Sequence, residues 1–290
     1  MRRLFEQDIE LDARKLALLA NHSFLNLFNV LERHLALISQ EIPSAELHRY
    51  SRFCLEILAD LSQLDIRERI PDIQRNYSSL NLYLNRLKNE FPGSRKRLDQ
   101  LLEITSVGHH QLMELKEERH IWTTHSAEHM ESFLKIFLES QARVSDRRIG
   151  FIFAKETDSP EAYAIDFQIK SRSGTLTAPN IINDVIRDLV CNSRKYSDPG
   201  SSIRVVLEAR EDGTLFLSAS DEGMGIPPDE IDEVVKFGYR ATNALDRRTM
   251  GWGIGLTKAY HLCRQCKGRF VIESEIGKGT TIEMTLSPPS

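Results

Sequence analysis

Apolar residues recur at three- and four-residue steps through the first part of the chain, which is the spacing of one face of an α-helix. The first predicted helix covers 8–40, and its apolar stripe is formed by Leu16, Leu19, Phe24, Leu27, Phe28, Leu31, Leu35 and Ile38. Three more helices are predicted at 45–64, at 72–90 and from 94 past 115, separated by proline-bearing breaks. Helices with such short connections predict an antiparallel bundle, and the long stripe also favours a dimer seam.

From about Thr124 the pattern changes to short alternating stretches separated by glycine and proline turns. Strands are predicted at 150–153, 164–169, 202–208, 214–220, 269–275 and 280–286, and helices at 130–141, 179–195 and 254–266, with a further short helix after Asp221. This order predicts an α/β layered domain with a mostly antiparallel or mixed sheet. The predicted fold class is therefore α+β, with a helical bundle over 1–123 followed by an α/β sandwich over 124–290.

Charge and composition narrow the range of partners. The chain has 290 residues and a net charge of −4, so it has no global basic field, and no nucleic-acid partner is expected. No apolar run reaches membrane-spanning length, and Arg2 and Arg3 precede no apolar core, so neither a membrane span nor a signal peptide is predicted. Four cysteines are too few for a disulfide scaffold of this size, which favours a cytoplasmic, reduced protein.

Asp221 ends a predicted strand and opens into the turn Asp-Glu-Gly-Met-Gly-Ile-Pro. A carboxylate in this place can accept hydrogen bonds from a ligand, and Gly223 and Gly225 allow close backbone approach or a positive φ. By itself the stretch fits an ordinary Asp-Gly turn about as well as a ligand-binding site. The neighbouring segments are therefore needed to choose between the two interpretations.

The predicted helix before it carries Asp188 and Asn192 one turn apart, with Lys195 close to the next turn. An amide oxygen suits a hard cation, a carboxylate can orient a water or a nucleophile, and a lysine meets phosphate charge. The pattern is typical of a phosphate–Mg²⁺ site, and the competing interpretation is a polar helix edge.

A third segment, Gly251-Trp-Gly-Ile-Gly-Leu256, opens directly into a helix. Alternate glycines at a helix N-terminus expose backbone N–H groups to an anion, and the helix dipole adds to the attraction. The motif is weak alone, but here it is the third element in a fixed order.

In this order the segments resemble the GHKL ATPase superfamily, and most closely the catalytic, ATP-binding domain of histidine kinases. Residues 188–197 resemble the N box, 221–226 the G1 box, 237–240 the F box and 251–256 the G2 box, while 277–282 resemble the last hairpin of the family. The resemblance covers about 131–288 and implies an ATP-binding sandwich of the Bergerat type.

The resemblance implies ATP and Mg²⁺ as ligands, with Asn192 on the Mg²⁺ and Asp221 on the adenine amino group. The implied nucleotide-binding residues are Asn192, Lys195, Tyr196, Asp221, Gly223, Gly225, Ile226, Phe237, Arg240, Gly251, Gly253, Ile254, Gly255, Leu256 and Thr280. Residues 237–250 would form a mobile lid, with Arg240, Arg247 and Arg248 available to phosphate. Asp188 stands where many relatives have Glu or Asn, which leaves open whether it activates the nucleophile or binds metal.

The resemblance also makes His22, on the first helix, the candidate phosphoacceptor, with Asp188 and Asn192 as the other catalytic candidates. Asn26 follows four residues later as in the family, but Ser23 replaces the usual acid and Leu27 the usual proline. The acid normally helps to take the imidazole proton, so an ordinary helical histidine is the competing interpretation. The helices over 45–90 exceed a two-helix hairpin and are either an insertion or part of a different bundle.

Three functions remain open from the sequence. The first is a soluble ATP-dependent histidine kinase that autophosphorylates on a histidine and passes the phosphoryl group to a response regulator, as a homodimer formed through the bundle. The second is a GHKL protein kinase acting on Ser or Thr, similar to the mitochondrial dehydrogenase kinases, in which His22 is unnecessary. The third is a nucleotide-binding, non-catalytic dimeric scaffold.

Overall fold

The computed structural model describes residues 1–61, 65–117, 120–142, 151–153, 162–245 and 252–289. The chain divides into two compact units, one formed by Asp12–Ile121 and the other by Met1–Leu11 together with Trp122–Ser290. We call them the helical unit and the sheet unit. Among the described residues, no helix has both the length and the apolar character needed to cross a membrane.

The helical unit contains the four predicted helices: α1 (Ala13–Glu41), α2 (Ala45–Asp60), α3 (Ile70–Glu90) and α4 (Arg95–Glu117). Asp12 and Ser44 cap the first two, since their side chains accept hydrogen bonds from the backbone N–H groups of Lys15 and Leu47. Helix α1 packs on α2 and α4, and α3 packs on α4. These contacts make α1 and α4 the centre of the bundle.

The apolar stripe of α1 is buried within this single chain. Its members from Leu19 to Ile38 are at most 6% exposed, and only Leu16 is partly accessible. The expectation that this stripe forms a dimer seam is therefore wrong, because α2 and α4 already cover it.

Gly108 on α4 lets three helices approach closely in the bundle core. A Cβ atom at this position would lie 2.7 Å from side-chain atoms of both Leu27 on α1 and Tyr77 on α3. The Tyr77 ring in turn stacks on Phe28, with the ring centroids 5.8 Å apart. The absent side chain thus allows two helices to pack against the backbone of a third.

The sheet unit holds β1 (Arg2–Phe5), β2 (Trp122–Ser126), β3 (Phe151–Phe153), β4 (Tyr163–Lys170), β5 (Thr175–Pro179), β6 (Ser202–Ala209), β7 (Leu215–Asp221), β8 (Arg269–Glu275) and β9 (Gly279–Leu286). Its helices are α5 (Ala127–Ala142), α6 (Ile182–Tyr196) and α7 (Gly255–Gln265). Over the described residues, the main sheet has the order β1-β8-β9-β7-β6-β4-β3, while β2 and β5 pair separately. The β3–β4 and β4–β6 pairs are parallel and the rest are antiparallel, which confirms a mixed sheet.

One face of the main sheet packs against the helices. Helix α6 lies centrally, in contact with β6, β7, α5 and α7. The core between them includes Val185, Ile186, Leu189, Ile203, Val205, Leu207, Leu215, Leu217, Ala219, Phe270 and Met284. This packing fixes α6 beside the end of β7, where Asp221 lies.

Residues 1–11 belong to the sheet unit, so their assignment to a helical domain over 1–123 is wrong. Strand β1 pairs antiparallel with β8 at the sheet edge, and Phe5 is buried against Tyr260 and Phe270 at centroid distances of 5.6 and 5.8 Å. In the order of the chain, the helical unit is therefore inserted between the first strand of the sheet unit and the remainder. A four-residue strand is too short to show a period in the sequence.

Two further expectations in the sheet unit are wrong. Pro179 ends β5, and α6 begins only at Ile182, so the proline closes a strand and does not open the helix. The short helix expected after Asp221 is a series of turns, closed by bonds such as Glu230 N to Pro227 O at 3.0 Å and Glu233 N to Glu230 O at 2.9 Å. A short 3-10 helix follows at Thr242–Ala244.

Glu103 on α4 makes the stability of the helical unit depend on pH. Burial raises the pKa of this carboxyl from 4.5 to about 7. The contribution of Glu103 is thus fully present below pH 4.5 and is lost as the pH rises through about 7. Because the group is partly solvated, we expect Glu103→Gln to gain on the order of 1 kcal/mol, or about 3 °C in melting temperature, between pH 5 and pH 8.

Thermal unfolding of the full chain, followed by circular dichroism at both pH values, measures this difference. Glu56→Gln, at an exposed position on α2, is the control and should shift equally at the two pH values. An equal shift for Glu103→Gln at pH 5 and pH 8 would contradict the assignment.

Candidate functional site

Asp221 lies half-buried at the end of β7, and backbone donors hold its carboxylate in place. Its Oδ1 accepts hydrogen bonds from the N–H of Gly223 at 3.0 Å and from the N–H of Thr280 at 3.2 Å. Burial raises the pKa of Asp221, and hydrogen bonds from Gly223, Ser193 and Thr280 oppose that rise. A carboxylate fixed in this way is a preorganised acceptor for a ligand N–H group.

The turn after Asp221 packs so closely against α6 and β8 that its two glycines cannot carry side chains. A Cβ at Gly223 would lie 2.6 Å from the carbonyl oxygen of Tyr196, which accepts a hydrogen bond from Met224 N at 2.9 Å. Gly225 has φ +70°, and a Cβ there would overlap the carbonyl oxygen of Glu275. The turn therefore lies directly against the last residue of α6 and the end of β8.

Ser274 joins this turn to the β8–β9 hairpin. Its Oγ accepts a hydrogen bond from Ile226 N at 2.9 Å and donates to the carbonyl oxygen of Gly279 at 3.0 Å. Gly279 has φ +114°, and its Cα faces the carbonyl group of Asp221 with no room for a Cβ. No sequence signal singles out Ser274, because a serine in an alternating strand is typical of the solvent face.

Helix α6 presents Asn192, Lys195 and Tyr196 in its last turns, all partly accessible. Asn192 lies next to the start of α7, since a Cβ at Gly255 would be 3.4 Å from its Nδ2 and 3.3 Å from the Cβ of Asp188. Ile254, the residue before α7, makes no side-chain capping bond. The first N–H groups of α7 therefore lack an intrahelical partner beside Asn192, which is an arrangement suited to an anion.

The segments around Phe237 and Gly253 meet through their backbones. Gly238 N donates to the carbonyl oxygen of Gly253 at 3.1 Å, and both glycines have positive φ. A Cβ at Gly253 would lie 2.8 Å from the carbonyl oxygen of Tyr239. Phe237 is half-buried in this contact region, whereas Gly251 lies outside the described residues, as do Arg247 and Arg248.

Glu230 anchors the segment that follows. Its carboxylate accepts hydrogen bonds from Tyr239 Oη at 2.9 Å, from Thr242 N at 2.8 Å and from Thr242 Oγ1. Thr242 thereby lowers the pKa of Glu230. Asn243 Nδ2 donates to the carbonyl oxygen of Gly225 at 2.9 Å, which ties this segment back to the turn after Asp221. Neither Glu230 nor Asn243 was singled out from the sequence.

Arg240 is directed to its own segment in this arrangement. Its Nη2 donates to the carbonyl oxygen of Ala244 at 2.9 Å. A contact with a phosphate, as the sequence predicts, would have to come from the other N–H groups of the guanidinium or from exchange of this bond.

Four charged side chains form a buried ion cluster between α6 and α7: Asp184, Arg187, Asp188 and Lys258. Asp188 Oδ1 accepts from Arg187 Nη2 at 2.5 Å and from its Nε at 3.0 Å, and Asp188 Oδ2 lies 2.5 Å from Lys258 Nζ. Asp184 binds the same two cations. In the sequence, the only signal for this cluster is the helical spacing of Asp184, Arg187 and Asp188. Nothing in the sequence indicated that Lys258 belongs to it.

These residues fit a purine nucleotide with a divalent cation. A Cβ at Gly223, Gly225 or Gly253 would lie less than 3.0 Å from neighbouring protein atoms, so these glycines hold the segments of the site close together. The uncapped α7 N-terminus suits phosphates, and the Asn192 amide oxygen could hold a hard cation. His22 lies apart from this set in the chain, on α1 of the helical unit, partly accessible, with its Nδ1 3.4 Å from Asn26 Nδ2.

Residues 177–290 match the family described as histidine kinase-, DNA gyrase B-, and HSP90-like ATPase. The matched segment includes Asp188, Asn192 and Asp221, and also the glycines just before and at the start of α7, Gly251, Gly253 and Gly255. The sheet unit therefore contains an ATPase domain of this family, which confirms the predicted resemblance and the sandwich fold.

The relatives of this segment are histidine kinases. The chain is 34% identical over 106 residues to the sensor histidine kinase WalK of Bacillus subtilis, with 36% of this chain and 17% of WalK covered. It is 30% identical over 106 residues to the histidine protein kinase SaeS of Staphylococcus epidermidis, with 36% and 30% covered. The matches thus span less than a third of the length of these relatives. A solved structure of the mycobacterial sensor histidine kinase MprB aligns with 59% of this chain and 99% of its own, at 19% identity and a TM-score of 0.41.

Gly225 and Gly277 provide a matched pair for testing the site. Both have positive φ, at +70° and +75°, but a Cβ would meet Glu275 at Gly225 and nothing within 4 Å at Gly277. Alanine therefore strains both turns, but it displaces the Asp221 turn only at Gly225. We expect Gly225→Ala to weaken binding of a fluorescent ATP analogue by about tenfold or more, on the order of 1.4 kcal/mol.

Fluorescence titration of the two variants at equal protein concentration measures the difference. Gly277→Ala should stay within about threefold of the unaltered protein, under 1 kcal/mol. Equal loss in both variants would mean that the close approach of Gly225 to β8 does not form the binding site.

Proposed function

We propose that this protein is an ATP-dependent histidine kinase, which transfers the γ-phosphoryl group of ATP to a histidine and from there to a response regulator. The observation that carries the proposal is the arrangement around the end of α6, where the turn after Asp221 lies against Tyr196 and Asn192 lies next to the uncapped N-terminus of α7. The names of the matched relatives, both histidine kinases, support the same assignment.

In this proposal Asp221 accepts a hydrogen bond from the adenine amino group, and Gly223 and Gly225 hold the turn that follows it close against α6 and β8. The N–H groups at the start of α7 bind the phosphates, with Lys195 near them. Asn192 would hold Mg²⁺, which when bound supplies positive charge against the developing charge on the phosphoryl oxygens. Since ATP is the donor, the site is proposed to work in the cytoplasm.

His22 is the proposed phosphoacceptor. It is partly accessible on α1, and its Nδ1 lies 3.4 Å from Asn26 Nδ2. Nε2 is the nitrogen proposed to attack, in the tautomer that carries the ring proton on Nδ1, which requires the contact with the Asn26 amide nitrogen to be exchanged. A bond forms between Nε2 and the γ-phosphorus while the bond from that phosphorus to the bridging oxygen of ADP breaks. Ser23 is buried and donates to Leu19 O at 3.4 Å, so it replaces the family's acid with a side chain directed at the helix backbone.

A response regulator is the proposed second acceptor, through an aspartate. A homodimer is part of the proposal too. Because α2 and α4 cover the α1 stripe, the dimer would use another face of the bundle.

The second candidate is a GHKL kinase that phosphorylates Ser or Thr of another protein. The specific observation in its favour is Ser23, which removes the acid that normally accompanies a phosphoacceptor histidine. The same experiment separates the two candidates.

The protein is incubated with γ-labelled ATP and Mg²⁺, and the label on the protein is followed in acid and in base. We expect an acid-labile, base-stable label on the unaltered chain, its loss in His22→Gln and a fall of at least about a hundredfold in Asn192→Ala. His110→Gln, at an exposed histidine on α4, is the matched control and should keep the label.

Acid-stable label on an added protein substrate would replace histidine transfer with the Ser/Thr candidate. Label that survives His22→Gln would move the phosphoacceptor to another residue. Nucleotide binding with no label in any variant would leave a non-catalytic scaffold.

A further inference from the structure

The buried ion cluster places four charges where side chains are rarely left charged. The side chains of Asp184, Arg187, Asp188 and Lys258 are only 2%, 3%, 6% and 4% exposed. An unpaired buried charge is strongly destabilising, so such groups must be neutralised by their neighbours.

Within the cluster, the two negative charges of the carboxylates are balanced by the two positive charges of Arg187 and Lys258. Each carboxylate contacts both cations, and the guanidinium of Arg187 also lies over the Phe137 ring at 5.0 Å. Burial alone would lower the pKa of Arg187, but Asp184 and Asp188 outweigh it and raise that pKa. Two anions and two cations therefore offset each other inside the domain.

Asp188 is the member of the cluster that lies at the proposed phosphate end of the site. Its Cβ is 3.3 Å and its Cγ 3.7 Å from where a Cβ would stand on Gly255, the first residue of α7. Asn192 follows one turn later on the same helix. A free carboxylate in this place would be well situated to take a proton from an attacking group.

The carboxylate of Asp188 is engaged on both oxygens. Arg187 binds Oδ1 and Lys258 binds Oδ2, at 2.5 Å each. A carboxylate stabilised by two cations is a poor proton acceptor, because protonation would leave a net positive charge buried in the cluster.

Because both carboxylate oxygens of Asp188 are ion-paired, the chemical nature of the phosphoryl acceptor becomes important. A water or a Ser or Thr hydroxyl must lose a proton as it attacks phosphorus, so it needs a base within reach. A neutral imidazole attacks through a ring nitrogen that already carries a free lone pair, and its proton resides on the other nitrogen. An imidazole thus needs no base at the moment of attack.

We infer that Arg187 and Lys258 hold Asp188 as a positioning residue, so that the sheet unit transfers phosphoryl to a nitrogen nucleophile and discriminates against water and hydroxyl acceptors. The inference rests on the proposed function, because it assumes that ATP binds in this site. It adds the chemical class of the acceptor, a nitrogen nucleophile. Lys258, whose side chain is 4% exposed, is then a specificity-determining residue that acts through Asp188.

Releasing one oxygen of Asp188 should open the hydrolytic reaction. Water would attack the γ-phosphorus, the bond to the bridging oxygen of ADP would break, and the proton of the water would go to Asp188 Oδ2. The products are ADP, inorganic phosphate and a proton that Asp188 later returns to solvent. No further reactant is needed.

Two double variants with the same cluster charge make the test. Asp184→Asn with Lys258→Met leaves Arg187 paired with Asp188 and frees Oδ2 of Asp188. Asp188→Asn with Lys258→Met leaves Arg187 paired with Asp184 and removes the carboxylate. We expect phosphate release from Mg·ATP to rise about tenfold or more in the first variant, below the usual contribution of a general base, and not to rise in the second.

Affinity for a fluorescent ATP analogue and melting temperature are measured for both variants, so that a change in rate is compared at equal occupancy. Equal phosphate release from the two variants, or no rise in either while both bind nucleotide, would overturn the inference.

A second measurement does not depend on altering the cluster. His22→Gln keeps Arg187, Asp188 and Lys258 and removes the proposed phosphoacceptor, so that transfer to water no longer competes with transfer to His22. We expect this variant to bind nucleotide and to release phosphate at less than about a tenth of the phosphotransfer rate of the unaltered chain. Release at a comparable rate would overturn the inference, whereas the absence of acid-labile label on the unaltered chain would overturn the proposed function instead.

Discussion

The site depends on one close approach, between the end of β7 and the β8–β9 hairpin. The carboxylate of Asp221 bridges Gly223 N and Thr280 N, and the backbone of Asp221 lies directly against Gly279. Neighbouring antiparallel strands β7 and β9 make this approach possible, because Asp221 and Thr280 are paired in register. A shift of one residue in that register would turn Asp221 to the other face of the sheet. Sheet pairing thus fixes the direction of the proposed adenine-binding group.

The same constraint accounts for the glycines and for Ser274. A chain segment that crosses a strand end at backbone distance cannot carry side chains on its inner side, and its N–H groups need new acceptors. Ser274 Oγ accepts from Ile226 N, and Tyr196 O accepts from Met224 N. The turn is therefore held on one side by the hairpin and on the other by the end of α6. Since α6 also carries Asn192, the helix that supports the turn after Asp221 also carries the residue proposed to bind the cation.

The sequence predicted the elements with a strong period and the motif residues with special backbone needs. The four long helices, the last two strands and the Asp221 turn all carried such signals, and all are found close to the predicted bounds. What it could not predict depends on tertiary pairing. Lys258 follows a glycine motif in an 11-residue helix, and nothing local shows that its ammonium group meets two carboxylates of α6. Strand β1 was missed for the same reason, because its partner β8 lies more than 260 residues further along the chain.

The pairing of β1 with β8 places the first residues of the chain in the sheet unit and not in the helical unit. Phe5 fills the space between Tyr260 and Phe270, a burial worth roughly 2 kcal/mol, and Arg264 and Tyr260 on α7 bind Asp8 and the carbonyl oxygen of Gln7. The segment that leads into α1 is thus attached to the helix whose N-terminus forms the proposed phosphate site. Because the chain leaves the sheet unit before α1 and returns to it after α4, the helical unit is, in the order of the chain, an insertion within the sheet unit.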